Sequence, residues 1–187
     1  MSGMLRASNI GALLLMTFLL LPSCASQAKK RSDIDLLMRE ADQYASSDDY
    51  KKTLDTYKKA FRTYPDDEIL REGYVATLEN IVKKTDETYE KGYYALSGRQ
   101  YSLLVKNIPW ADRLSRDLSF QKNYLKKRIE DCRSSLSLSA LSSYRSGNIE
   151  TAISIWKSIL SFAPEDQSAR KALDTATIQL KNLKQRK

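Results

Sequence analysis

The pattern of apolar residues divides the chain into two parts. Residues 10–21 form an almost unbroken apolar run, and the nine residues before it contain Arg6 as their one charged side chain. As a helix this run would be about 18 Å long, whereas a bilayer core of about 30 Å requires about 20 residues. The run is therefore typical of a secretory signal peptide and not of a membrane-spanning helix.

Downstream of this run, apolar residues recur at intervals of three and four. No long stretch alternates with a period of two, and the chain has six Gly and four Pro. This pattern predicts an all-α fold of about seven helices, closed by a capping helix from Gln167 to about Leu183. One helix is predicted from Ala111 to about Arg145. Its stripe consists of Leu114, Leu118, Gln121, Leu125, Ile129, Cys132, Leu136 and Ala140.

Three stretches share one order of residues, which predicts three helical hairpins. Each has a helix with a small residue, a short polar turn and an aromatic or aliphatic residue that opens the second helix. The small residues, which are expected to let the two helices approach closely, are Ala41, Gly92 and Ala140. Gly98 and Gly147 are predicted to end the first helices of the second and third hairpins in the left-handed conformation. The helix before the second turn is expected to run from Asp66 to about Leu96.

Other residues of the same order receive packing and capping roles. Three residues are expected to fill the space at the turns, namely Tyr50, Tyr101 and Ile149. Two are expected to pack towards the next helix, namely Tyr57 and Trp156, and two face the small residues, namely Thr53 and Ala152. Asp66, Asn148 and Asp166 are predicted to cap the helices that follow them.

This order of residues resembles the tetratricopeptide repeat (TPR), a 34-residue helix–turn–helix unit, although the small residues here are 51 and 48 residues apart. The resemblance implies a right-handed solenoid whose first helices line a concave groove that binds a segment of a partner protein. Carried over to this chain, the groove residues are Met38, Asp42, Tyr89, Tyr93, Leu141, Tyr144 and Arg145. The alternatives are a plain helical bundle and, for Tyr93 and Leu141, simple packing against neighbouring helices.

The segment Leu21-Pro22-Ser23-Cys24 resembles the lipobox of bacterial lipoproteins, with Pro22 where that family usually has a small residue. The resemblance implies a signal peptide at 1–23, a lipidated Cys24 with a short linker at 24–32, and a repeat domain at 33–187. Because Ala25 rather than Asp follows the cysteine, it also implies an outer-membrane location facing the periplasm. The alternatives are cleavage after Ala25 or Ala28, which gives a soluble periplasmic protein, and an uncleaved anchor.

Composition excludes several kinds of chemistry. The chain has no His and two Cys, so it lacks a His general base, a four-ligand zinc site and a disulfide scaffold. The carboxylates cluster at predicted helix starts, where they satisfy free N–H groups. We therefore predict no catalytic residues, no metal and no cofactor. Cys132 is predicted to be a buried small side chain, with a reactive thiol as the alternative.

Charge and architecture together suggest a function. The chain has 31 Lys and Arg against 23 Asp and Glu, a net charge of +8. The basic residues at 29–31 are interpreted as a solvated spacer or as contacts with anionic headgroups. Those of the tail are interpreted as favourable charge at a helix C-terminus or as contacts with acidic envelope polymers or lipid. Nucleic acid is not expected outside the cytoplasm. The leading hypothesis is a lipid-anchored, non-catalytic adaptor that holds a protein partner in a cell-envelope complex and has no small-molecule substrate. The alternatives are a binding module for peptidoglycan or an acidic polymer, an envelope-turnover enzyme, and self-assembly through exposed helix faces.

Overall fold

The computed structural model describes residues 21–111 and 122–185, and their side chains at 27–108 and 122–185. Within these ranges the chain forms seven helices and no strand, which confirms the all-α prediction. The helices are α1 (Leu21–Ser46), α2 (Tyr50–Thr63), α3 (Glu68–Glu90), α4 (Tyr94–Ala111), α5 (Lys122–Arg145), α6 (Ile149–Phe162) and α7 (Gln167–Gln185). None of these described helices is both long and apolar enough to cross a membrane.

The chain forms two compact units, Met1–Leu70 and Arg71–Lys187. In the first unit, α1 packs against α2. Its buried side chains include Ile34, Ala41, Tyr50, Leu54, Tyr57, Ala60 and Phe61. α1 is helical through residues 25–32, where the sequence predicts a linker. Because residues 23–46 contain neither Gly nor Pro, nothing in this stretch interrupts the helix.

The second unit contains most of α3 and the whole of α4 to α7. α5 contacts both α4 and α6, and α6 contacts both α4 and α7. A continuous apolar core connects the last three helices. Its buried members are Ala140, Ile149, Ala152, Trp156, Ile159, Ala169 and Ala176. α7 covers the end of this core, which confirms the predicted final helix.

The three hairpin turns share one backbone conformation. The positive φ angles among the described residues are 57° at Asp48, 81° at Gly92 and 83° at Gly147. In each turn the next residue donates its N–H to the carbonyl oxygen five residues earlier. The N···O distances are 2.9 Å for Asp49 to Tyr44, 3.2 Å for Tyr93 to Thr88 and 2.9 Å for Asn148 to Ser143. This is the Schellman geometry by which many helices end.

The structure reverses the predicted roles of Gly92 and Gly98. Gly92 forms the turn and is exposed, whereas Gly98 lies inside α4 and is buried. A Cβ atom on Gly98 would lie 2.8 Å from the ring of Phe162. Glycine is therefore needed at position 98 for close approach, and it is favoured at position 92 by the positive φ. The predicted helix from Asp66 to Leu96 is consequently wrong, because the turn at 91–93 ends α3 at Glu90.

The capping residues also differ in part from prediction. Asp67, not Asp66, accepts the N–H groups of Ile69 and Leu70, at 3.1 and 3.2 Å. Asp166 accepts the N–H of Ala169 at 2.9 Å, as predicted. Asn148 stands at the start of α6, but its side chain makes no capping hydrogen bond.

Candidate binding surface

Helix α5 has one buried and one exposed face. Leu125, Cys132 and Ala140 are fully buried along the predicted stripe, whose first three positions lie outside the described residues. On the other face Leu138 is 71% exposed and Leu141 is 38% exposed. Their neighbours along the helix are mainly serines, at 134, 135, 137, 139, 142 and 143. Because serine side chains are short, they leave both leucines accessible.

Tyr144 and Arg145 extend this exposed face to the end of α5. The ring of Tyr144 lies 5.7 Å from that of Trp156 on α6, and its hydroxyl is hydrogen-bonded to Oε1 of Gln179 on α7. The tyrosine is thus held at a fixed orientation while part of it remains accessible. Arg145 is exposed in the last turn. We call Leu138, Leu141, Tyr144 and Arg145 the α5 surface, since they lie within about two turns of one helix.

Tyr89 is part of an aromatic cluster within the second unit. Its ring meets those of Tyr94 and Tyr101 edge-on, with centroids 5.3 and 6.4 Å away. The guanidinium carbon of Arg128, on α5, lies 4.3 Å from the centroid of the same ring. A cation over an aromatic face is attracted to it, so Arg128 attaches α5 to α3 through Tyr89. Tyr89 is therefore largely occupied by contacts within the protein.

Asp86 joins this cluster through hydrogen bonds. Tyr101 donates its hydroxyl to Oδ1 of Asp86 at 2.5 Å, and Tyr124 donates to the same atom at 2.9 Å. Arg128 in turn donates through Nε to the Tyr124 hydroxyl at 2.9 Å. Burial, followed by the hydrogen bond to Asp86, raises the pKa of Tyr101 well above its ordinary value. The phenol therefore remains a neutral donor, and the network connects α3, α4 and α5.

The other predicted groove residues lie elsewhere. Tyr93 is 62% exposed at the turn between α3 and α4. Met38 is half-buried and Asp42 is exposed, and both belong to α1 in the first unit. The structure thus brings Leu141, Tyr144 and Arg145 together on α5. The concave groove that would join all seven residues stays a prediction.

The remaining predicted site concerns the two cysteines. The side chain of Cys24 lies outside the described residues, although the backbone of α1 passes through it. Cys132 is fully buried, as predicted, and this burial raises the pKa of its thiol to about 12. Among the described residues, no group of three or more Cys, Asp or Glu side chains is placed to hold a metal ion.

Sequence reasoning missed two residues of this region. Leu138 lies one turn before Leu141 and is the more exposed of the two, but the TPR resemblance does not assign it to the groove. Arg128 is 39 residues from Tyr89 in the chain, so no local pattern connects them. The exposed leucine could have been found from the stripe, because Leu138 falls opposite its buried positions.

No protein-family model matches the chain, and comparisons with curated proteins and with solved structures find no similar protein.

Proposed function

We propose that the protein is a lipid-anchored, non-catalytic adaptor that binds a partner protein of the cell envelope through the α5 surface. The observation that carries this proposal is the exposure of Leu138 and Leu141 next to a fixed tyrosine and an arginine. Tyr and Arg are enriched where proteins bind one another, and apolar side chains at the centre of an interface supply much of its free energy. Acylation of Cys24 would place this surface near a membrane and raise its local concentration there.

Kinship with the TPR family is part of the same proposal. Counted from the three turn residues, a buried small side chain occurs at equivalent places of each hairpin. The position seven residues before the turn residue is occupied by Ala41, Thr85 and Ala140. The position five residues after it is occupied by Thr53, Ser97 and Ala152. A proline follows each turn residue by 17 positions, at Pro65, Pro109 and Pro164. This regular order supports repeated hairpins, with the first helix of each presenting a binding face.

The proposal can be tested by crosslinking in intact cells. A photoreactive amino acid at position 141 should give an adduct with one envelope protein, and a Leu138→Ser/Leu141→Ser variant should co-purify with about tenfold less of it. Ile178→Ser is the matched control, since Ile178 is 61% exposed on α7 and lies outside the α5 surface. Equal loss with Ile178→Ser, or no adduct at position 141, would contradict the proposal.

Salt separates the adaptor from the binding module for an acidic polymer. A complex based on the two leucines should survive 0.5 M salt. A ligand held by the positive net charge of the protein should be released steeply as salt increases, because screening weakens interactions between exposed charges.

A further inference from the structure

The middle turns of α1 have an outer face with no partner in the first unit. Ile34 and Ala41 on the inner face are almost fully buried, whereas Leu36 is 67% exposed. Ser32 and Arg39 precede and follow Leu36 by about one turn and are also exposed. The leucine therefore lies at the centre of an open helix face.

The cations near this face are of two kinds. Lys30 is paired with Asp67 at 3.0 Å, and Arg31 is paired with Asp35 at 3.3 Å. Lys29 and Arg39 are exposed and form no ion pair within the described part of the chain. The face thus combines an exposed leucine with two unpaired positive charges.

The helix that carries this face is continuous with the proposed lipid attachment site. α1 begins at Leu21, so its backbone is helical from residue 24 to the core of the first unit. Position 24 precedes Leu36 by 12 residues, about 18 Å along a helix. A flexible linker would let the unit rotate freely about its lipid, whereas a continuous helix fixes how this face is oriented with respect to the attachment site.

We propose that the face formed by Lys29, Ser32, Leu36 and Arg39 contacts an anionic phospholipid surface, as a second membrane contact beside the lipid on Cys24. This inference rests on the proposed lipid attachment. Leucine would enter the boundary between headgroups and acyl chains, while the two cations contact lipid phosphates, as in other helices that lie at a membrane surface. A bilayer is the surface closest to an acylated Cys24, and its anionic headgroups complement the unpaired charges.

The experiment uses the lipidated protein, purified from bacterial membranes after expression of the full chain. A Leu36→Cys variant is labelled with an environment-sensitive fluorophore, and Cys132 stays unlabelled because it is buried. Leu138→Cys is the matched control, since Leu138 is similarly exposed but lies in the second unit. Both proteins are reconstituted into phosphatidylglycerol vesicles with brominated acyl chains, which quench a fluorophore that reaches them.

We expect stronger quenching at position 36 than at position 138, and less in phosphatidylcholine vesicles with the same acyl chains. The further substitutions Lys29→Gln and Arg39→Gln should weaken the contact of this face with the vesicle surface. The ratio of molecules with the face bound to those with it unbound should fall about 25-fold, or about fivefold per cation. The protein should still float with the vesicles, because the acyl chains hold it there.

Three results would overturn this inference without affecting the lipid attachment. They are equal quenching at positions 36 and 138, equal quenching in both lipids, and an emission at position 36 that is already that of a buried probe before vesicles are added. The last result would mean that protein covers the face. Failure of the unsubstituted protein to float with vesicles would instead contradict the lipid anchor of the proposed function.

Discussion

The α3–α4 and α5–α6 hairpins have the same turn but different interiors. Counted from the turn glycine, three buried positions correspond between them. In α5–α6 these positions hold Ala140, Ala152 and Trp156. In α3–α4 they hold Thr85, Ser97 and Tyr101. The same backbone thus accommodates an apolar interior in one hairpin and a partly polar one in the other.

The polar interior is possible because each of these three hydroxyls has an acceptor. Thr85 donates to the carbonyl oxygen of Ile81 at 2.7 Å, and Ser97 donates to that of Tyr93 at 3.2 Å. Tyr101 donates to Asp86 at 2.5 Å. A buried polar group is costly mainly when its hydrogen bond is missing. At the two positions with small side chains, the hairpins therefore accommodate either an apolar residue or a hydroxyl that has an acceptor.

Substituting Gly98 of the α3–α4 hairpin should have the largest effect on the free energy of unfolding, and substituting Gly92 should have a smaller one. Gly98→Val forces branched atoms towards the Phe162 ring, and overpacking of this kind should cost about 3 kcal/mol of unfolding free energy. Gly92→Asn should cost less, about 1 kcal/mol, since the positive φ strains any side chain, but asparagine tolerates it better than most and nothing lies within 4 Å of the added Cβ. Urea unfolding measures both.

A matched double variant tests the cause of the Gly98→Val effect. Phe162→Leu should reduce the cost of Gly98→Val, because the smaller side chain leaves space beside α4. If Gly92→Asn were the more damaging substitution, the register of this hairpin would be the one first predicted from the sequence, with Gly92 at the crossing.

Removing the hydroxyl of Tyr101 should have the next largest effect on the free energy of unfolding. Tyr101→Phe removes one donor to the Asp86 carboxylate and should cost about 1–2 kcal/mol of unfolding free energy. Tyr124→Phe removes the more exposed donor to the same oxygen and should cost less. The cost of Tyr101→Phe should decrease in an Asp86→Asn background. An unchanged cost there would mean that the hydroxyl does not act through the carboxylate.

The fold was predictable from sequence to the extent that apolar spacing determines it. The α5–α6 hairpin was correctly placed because alanines mark its crossing. The turn of the α3–α4 hairpin was predicted at the wrong glycine. A glycine can be needed either for a positive φ or for close approach of another element, and local sequence does not tell which role Gly92 and Gly98 have. The constant interval of 17 residues between each turn residue and its proline would have separated them.

The candidate binding surface was less predictable than the fold. Leu141, Tyr144 and Arg145 were assigned by family position, and they lie together in the structure because they are close in sequence on a single helix. Met38 and Asp42 were also assigned by family position. They belong to the first unit, and the residue pattern within one unit does not determine where the residues of another unit lie. The contact of Tyr89 with Arg128 depends on tertiary packing of helices that are far apart in sequence.

The two hairpins also differ in how acidic pH should affect their stability, and this effect on the free energy of unfolding should be the smallest. α5–α6 is followed by Asp166, which accepts the N–H of Ala169 and pairs with Arg133 on α5 at 3.0 Å, whereas Ala111 stands at the corresponding place after α3–α4. Burial raises the pKa of Asp166, but its backbone hydrogen bonds and Arg133 outweigh burial and lower it below the ordinary value.

A lowered pKa in the folded state means that the ionised form of Asp166 stabilises the fold. This contribution is complete above the unfolded pKa of about 3.9 and disappears as the pH falls through the lowered folded value. Asp166→Asn should therefore cost about 1 kcal/mol near pH 7 and progressively less in acid. Asp174→Asn, at an exposed position of α7, is the control. Urea unfolding of both variants between pH 7 and pH 3 measures the difference, and a cost for Asp166→Asn that does not change with pH would show that the carboxylate charge contributes nothing to this hairpin.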